Sequence, residues 1–88
     1  MYAFTEFYEE DGELLFRVEC YMGVAKHYTE YKIDRENVRK LKNVLGEDAV
    51  KTLTKRFSAS HTVTDHFREL GVEYVLTGKG YEDTSSDV

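Results

Sequence analysis

Cys20, His27, His61 and His66 are the one thiol and all of the imidazoles of the chain, the side chains that hold zinc most readily. Their spacing makes no ligand set. His61 and His66 are five apart, whereas ligands sharing a helical face stand three or four apart. Cys20 and His27 belong to different segments with no metal motif around them. A buried thiol beside a core imidazole is the plainer expectation, and no metal or other cofactor is expected. Ser60, His61 and Asp65 supply the residue types of a hydrolytic triad, but no nucleophile elbow or oxyanion-hole motif accompanies them. "TGKG", at 77–80, is too short for a phosphate-binding loop and has no hydroxyl residue after its lysine. The chain is not expected to be an enzyme.

The elements that would position these side chains can be read from turn residues and alternation. In "EEDGEL", Asp11-Gly12 is the strongest short hairpin signal and pairs Glu10 with Glu13, Phe7 with Phe16, Glu6 with Arg17, Thr5 with Val18 and Ala3 with Cys20. Gly23-Val24, read as a turn with glycine first, pairs Met22 with Ala25, Cys20 with His27, Arg17 with Glu30 and Phe16 with Tyr31. The registers agree and predict a three-stranded meander. One face carries Met1, Ala3, Thr5, Phe7, Leu14, Phe16, Val18, Cys20, Met22, Ala25, His27, Thr29, Tyr31 and Ile33, the expected core face.

Three helices should cover that face. Asp34 N-caps "RENVRKLKNVL", with Val38, Leu41 and Leu45 on one side and Gly46 ending it. "EDAVKTLTKRF" has acids in its first turn and a Val50, Leu53, Phe57 stripe; a third helix near Val63 to Leu70 stops at Gly71. "VEYVLT" reads as a short last strand, and residues 78–88 as a flexible acidic tail after a single compact domain at 1–77. The fold class is α+β. No apolar run is long enough for a membrane span or signal peptide, and one cysteine closes no internal disulfide, so a cytoplasmic location is expected.

The face opposite the helices is the leading functional candidate. It would display Tyr2, Phe4, Tyr8, Leu15, Tyr21 and Tyr28 around Glu6, Arg17, Glu19, Lys26, Glu30 and Lys32, too many rings for a plain solvated face. Tyr2, Phe4, Tyr8, Arg17, Glu19, Tyr21, Tyr28 and Glu30 are the expected partner-binding residues, for a protein partner or a second copy. A helix or the tail folding across this face is the bland alternative. Stacking of single-stranded nucleic acid on the rings is weakened by the lack of net positive charge there.

Net charge is −5 and comes in blocks: −5 over residues 1–23, +4 over 24–57 and −4 over 58–88. The basic middle supports a second function class, a nucleic-acid-associated or transcription-regulating protein using Arg35, Arg39, Lys42, Lys51 and Lys55. Within 47–70, "LTKRFSASHTVTDHFREL" resembles the helix-turn-helix motif, which implies duplex reading by His61, Thr62, Asp65, His66 and Glu69. Two acids among those positions oppose a negatively charged groove, so specific duplex binding is not expected. In size, acidity and want of catalytic motifs the chain is similar to small phage-encoded proteins that block a host enzyme or DNA-binding protein, some as DNA mimics. That resemblance implies an inhibitor or modulator acting by binding, with no individual residue carried over.

Overall fold

Both hairpins form where the turn residues demand them. In the computed structural model, which describes residues 2–83, Asp11 and Gly12 have φ of 54° and 82°, the positive pair a type I′ turn requires. They join β1 (Tyr2–Glu10) to β2 (Glu13–Met22). Gly12 also has to be bare, because Arg35 lies across the turn and its Cγ would stand 3.2 Å from a Cβ there. Gly23, φ 64°, turns β2 into β3 (Ala25–Ile33) with positive φ at the first central position alone, as a type II′ turn needs. Every pairing anticipated for the meander is present.

The helices follow in the order α1 (Arg35–Leu45), α2 (Ala49–Phe57) and α3 (Val63–Leu70). The Asp34 side chain accepts the Asn37 N–H at 2.9 Å, capping α1, and Gly46 ends it. Glu47 and Asp48 precede α2 rather than filling its first turn, and Asp48 makes no side-chain cap. Gly71 closes α3 in the left-handed region while Val72 N–H returns to Phe67 O at 2.9 Å.

The architecture is α+β: a four-stranded antiparallel sheet in the order β1-β2-β3-β4 with three helices on one side. Phe16 is the hub of the core, its ring centre 4.9 Å from Tyr31, 5.2 Å from Phe67 and 5.9 Å from Phe7. Leu14, Ile33, Val38, Leu41, Leu53, Val63 and Phe67 are buried around it. Each such side chain removed from water contributes about 1.5–3 kcal/mol, so this one cluster outweighs any surface pair. Two buried polar residues tie the layers together. Thr5 donates its hydroxyl to Ser60 O (2.6 Å) and its N–H to Ser58 O (3.1 Å). Asn37 accepts the Glu73 N–H at 3.0 Å and donates to Asp34 Oδ1 at 3.0 Å, fixing the connection into the last strand.

Two expectations are corrected. The last strand, β4, is Val75–Asp83 rather than 72–77, so residues 78–83 of the expected tail belong to the sheet, with Tyr28 opposite Gly80 and Lys26 opposite Glu82. Residues 84–88 lie outside the described residues. Val72 serves the core instead, and a register irregularity at Glu30/Tyr31 admits the extra residue Thr77. The core face is also shorter than its alternation suggested. Burial reaches Val18, beyond which Met22 and His27 are exposed and Cys20 and Ala25 half-buried. Met1 lies outside the described residues. No described helix is long and apolar enough to cross a membrane.

Candidate functional site

The outer sheet face carries four rows of side chains, one residue per strand. Pairing aligns Tyr2, Tyr21, Lys26 and Glu82; then Phe4, Glu19, Tyr28 and Gly80; then Glu6, Arg17, Glu30 and Gly78; and last Tyr8, Leu15, Lys32 and Val75. All eight expected partner-binding residues therefore share this face. β4 lies beside β3 and not across the rings. The most exposed rings are on β1: Tyr2 is 71%, Phe4 43% and Tyr8 56% exposed, and Phe4 meets Tyr21 edge to face at 5.9 Å.

Arg17, Glu19, Lys26 and Glu82 pair with one another, while among the described residues Glu30 makes no ion pair. Glu6, Arg17 and Glu30 stand abreast by backbone register, yet Arg17 turns to Glu19, Nε to Oε1 3.2 Å, and lays its guanidinium 4.0 Å from the centre of the Tyr28 ring. Arg17 Nε is buried and the Glu19 contact is not aligned as a hydrogen bond, so the attraction is chiefly ionic. Glu19 also receives the Tyr21 hydroxyl (3.1 Å) and Lys26 Nζ (3.9 Å), and Lys26 reaches Glu82 at 3.6 Å. Tyr8 donates its hydroxyl to Glu6 at 2.7 Å; that bond, and then the carboxylate's charge, hold the phenol pKa above its ordinary value. Such a face offers rings beside a paired cluster, with the Glu6 and Glu30 carboxylates outside any ion pair among the described residues.

Glu82, Val75 and Gly80 were missed, since all three lie on β4. The tip of the Tyr28 ring occupies the place where a Cβ on Gly80 would project, so the glycine is the seat of the ring that Arg17 covers. The signal was present as a large aromatic on β3 and a glycine immediately before another tyrosine, but only pairing with β3 gives it meaning.

The second candidate surface is divided. Arg35 Nε donates to Asp11 O at 2.6 Å, and Lys42 Nζ pairs with Glu9 at 3.0 Å, a bond that raises the lysine's pKa. These two bases of α1 clamp the acidic hairpin. Arg39, Lys51 and Lys55 are exposed on the helices. In the helix pair, Asp65 and Glu69 are exposed and Asp65 pairs with Arg68 at 3.2 Å, while His66 turns inward with its ring 5.2 Å from Phe57. His66 is thus not presented alongside His61 and Thr62.

The zinc candidates fall in two separate places. Cys20 and His27 face each other on the uncovered inner end of the sheet, and His61 and His66 lie at α3. Among the described residues no three of His, Cys, Asp and Glu gather as metal ligands would. The Ser60 hydroxyl is engaged with Thr62, accepting its N–H at 3.1 Å, as in a local turn. Comparison of the chain with protein-family models, curated proteins and solved structures finds no match.

Proposed function

We propose that this chain is a non-enzymatic protein-binding module that grips its partner through the outer sheet face. One observation carries the proposal: Tyr2, Phe4 and Tyr8 stand exposed along β1, beside the mutually paired charges of Arg17, Glu19 and Lys26. Tyrosine and phenylalanine bring large contact area at small entropic cost, and neutralised charges need not be stripped of a counter-ion when covered. The acidic hairpin at Glu10 and Asp11 adds charge complementarity toward a basic rim on the partner. A small inhibitor or modulator of a host protein, of the phage-encoded kind, works in this way by occlusion and without chemistry of its own. Its place of action on this reading is the cytoplasm.

The test is capture with the wild type and with a Tyr2→Ser, Phe4→Ser, Tyr8→Ser variant whose melting is checked first. A protein recovered by the wild type, resistant to nuclease and high salt, and lost with the variant supports the proposal. Undiminished recovery with the variant rejects the face. Recovery that needs nucleic acid and disappears with salt points instead to Arg39, Lys51 and Lys55.

A further inference from the structure

The two edges of the sheet are treated differently. On β1, the segment between α2 and α3 closes the edge at Thr5, whose N–H and hydroxyl are bound by Ser58 O and Ser60 O. β4 is the other terminal strand and is bonded to β3 on one side. Alternation gives the direction of its backbone groups. Thr5 N–H points away from β2, so Val18 points to β3, Thr29 to β2, and Lys79 and Tyr81 away from β3 into the open edge. Among the described residues neither Lys79 nor Tyr81 has a backbone hydrogen bond outside the sheet ladder. Nine residues without proline make this a strand-shaped vacancy.

We propose that the β4 edge pairs with β4 of a second copy, antiparallel about a two-fold axis at Gly80, making one continuous sheet through both protomers. This interface is separate from the outer-face aromatic surface. A two-fold normal to the sheet keeps inner faces together and allows a limited set of registers. Centred on Lys79, it would set two ammonium groups opposite each other. Centred on Gly80, it sets each Lys79 opposite the other copy's Tyr81 on the inner face, an ammonium against a ring on both sides of the axis. These are the residues whose backbone groups face outward, so each Lys79–Tyr81 pair exchanges two hydrogen bonds. On the outer face Gly80 meets Gly80, where the absence of side chains leaves room for the Tyr28 ring already lying over each.

The inner face supports the same occupant. Beyond the helices, Cys20, His27, Lys79 and Tyr81 line an open groove of about 460 Å³, with Tyr81 against His27 at 4.8 Å. The two-fold places the two grooves side by side, so the rings that the helices leave uncovered gain apolar neighbours. Because the β1 edge is tied off at Thr5, pairing at β4 ends with the dimer and does not propagate.

Lys79→Pro removes one outward N–H while leaving the β3 ladder intact, a substitution edge strands tolerate. By sedimentation at millimolar concentration the wild type is expected as a dimer and Lys79→Pro as a monomer with unchanged circular dichroism. A monomeric wild type overturns the proposal, as does a dimer that survives Lys79→Pro or that dissolves with Tyr2→Ser, Phe4→Ser, Tyr8→Ser alone. Should Lys79→Pro not fold, a Lys79→Cys variant and a Tyr81→Cys variant, each in a Cys20→Ser background, decide the matter: mild oxidation of the mixture yields the covalent heterodimer on this register, and its absence, or cross-linking of Lys79→Cys to itself alone, rejects it.

Discussion

Arg17 lies with its guanidinium 4.0 Å from the centre of the Tyr28 ring, although the residues abreast of it are Glu6 and Glu30. A planar cation covers a ring closely and still touches Glu19, whereas the ammonium of Lys26 meets Glu19 at 3.9 Å only with its ring, Tyr21, at 5.9 Å. Arg17→Lys keeps the charge and should cost about 0.5–1 kcal/mol, the worth of a partly exposed cation–ring contact. The urea midpoint reads it, and an unchanged midpoint would show that the stack adds nothing.

Asp34 gives the fold a defined acid response. Its carboxylate accepts the Asn37 N–H and then the Asn37 side-chain amide, which hold its pKa below the ordinary value. A depressed folded pKa means that the contribution is complete above the unfolded-state value and is lost as pH falls through the folded one. Asp34→Ala should therefore lower the melting temperature at neutral pH, and the gap from wild type should narrow in acid below the usual carboxylate range. Melts across pH test this; a gap independent of pH removes the cap from the account.

His66 places Nε2 in the interior with no hydrogen-bond partner, beside the Phe57 ring. A buried polar atom that gains nothing from the fold is a cost that an apolar group avoids. His66→Leu is expected to leave stability unchanged or raise it by up to about 1 kcal/mol. Denaturant unfolding decides it, and a loss of similar size would mean that the imidazole is satisfied by water.

The meander was legible because Asp11-Gly12 and Gly23-Val24 fix the registers locally and the alternation of Phe7, Phe16 and Tyr31 checks them. α1 was legible for the same reason, its cap and stop being written beside it. β4 was not. Gly78 and Gly80 weaken strand propensity, and what accounts for them is on another strand, the Glu30 side chain beside Gly78 and the Tyr28 ring over Gly80. The outer face could be assembled as a set of residues, since faces follow from period two. The partners chosen within it could not: register sets which Cα atoms stand abreast, while Arg17 selects Glu19 and Tyr28 by side-chain reach and shape. The short reach of the helical layer, which leaves Met22 and His27 exposed, depends on helix placement that no strand pattern encodes.

Thr5 and Ser60 are 55 residues apart, and their bond sets an order of events on the ribosome. β1, β2 and β3 emerge first and can zip through their tight turns, but the segment that closes β1's edge emerges after two helices have been made. Until then the nascent meander carries a bare edge beside Phe4 and Phe7 and lacks Phe67 of α3 over Phe16, the kind of species that captures neighbouring chains. Pausing of translation before Ser60 should thus favour aggregation.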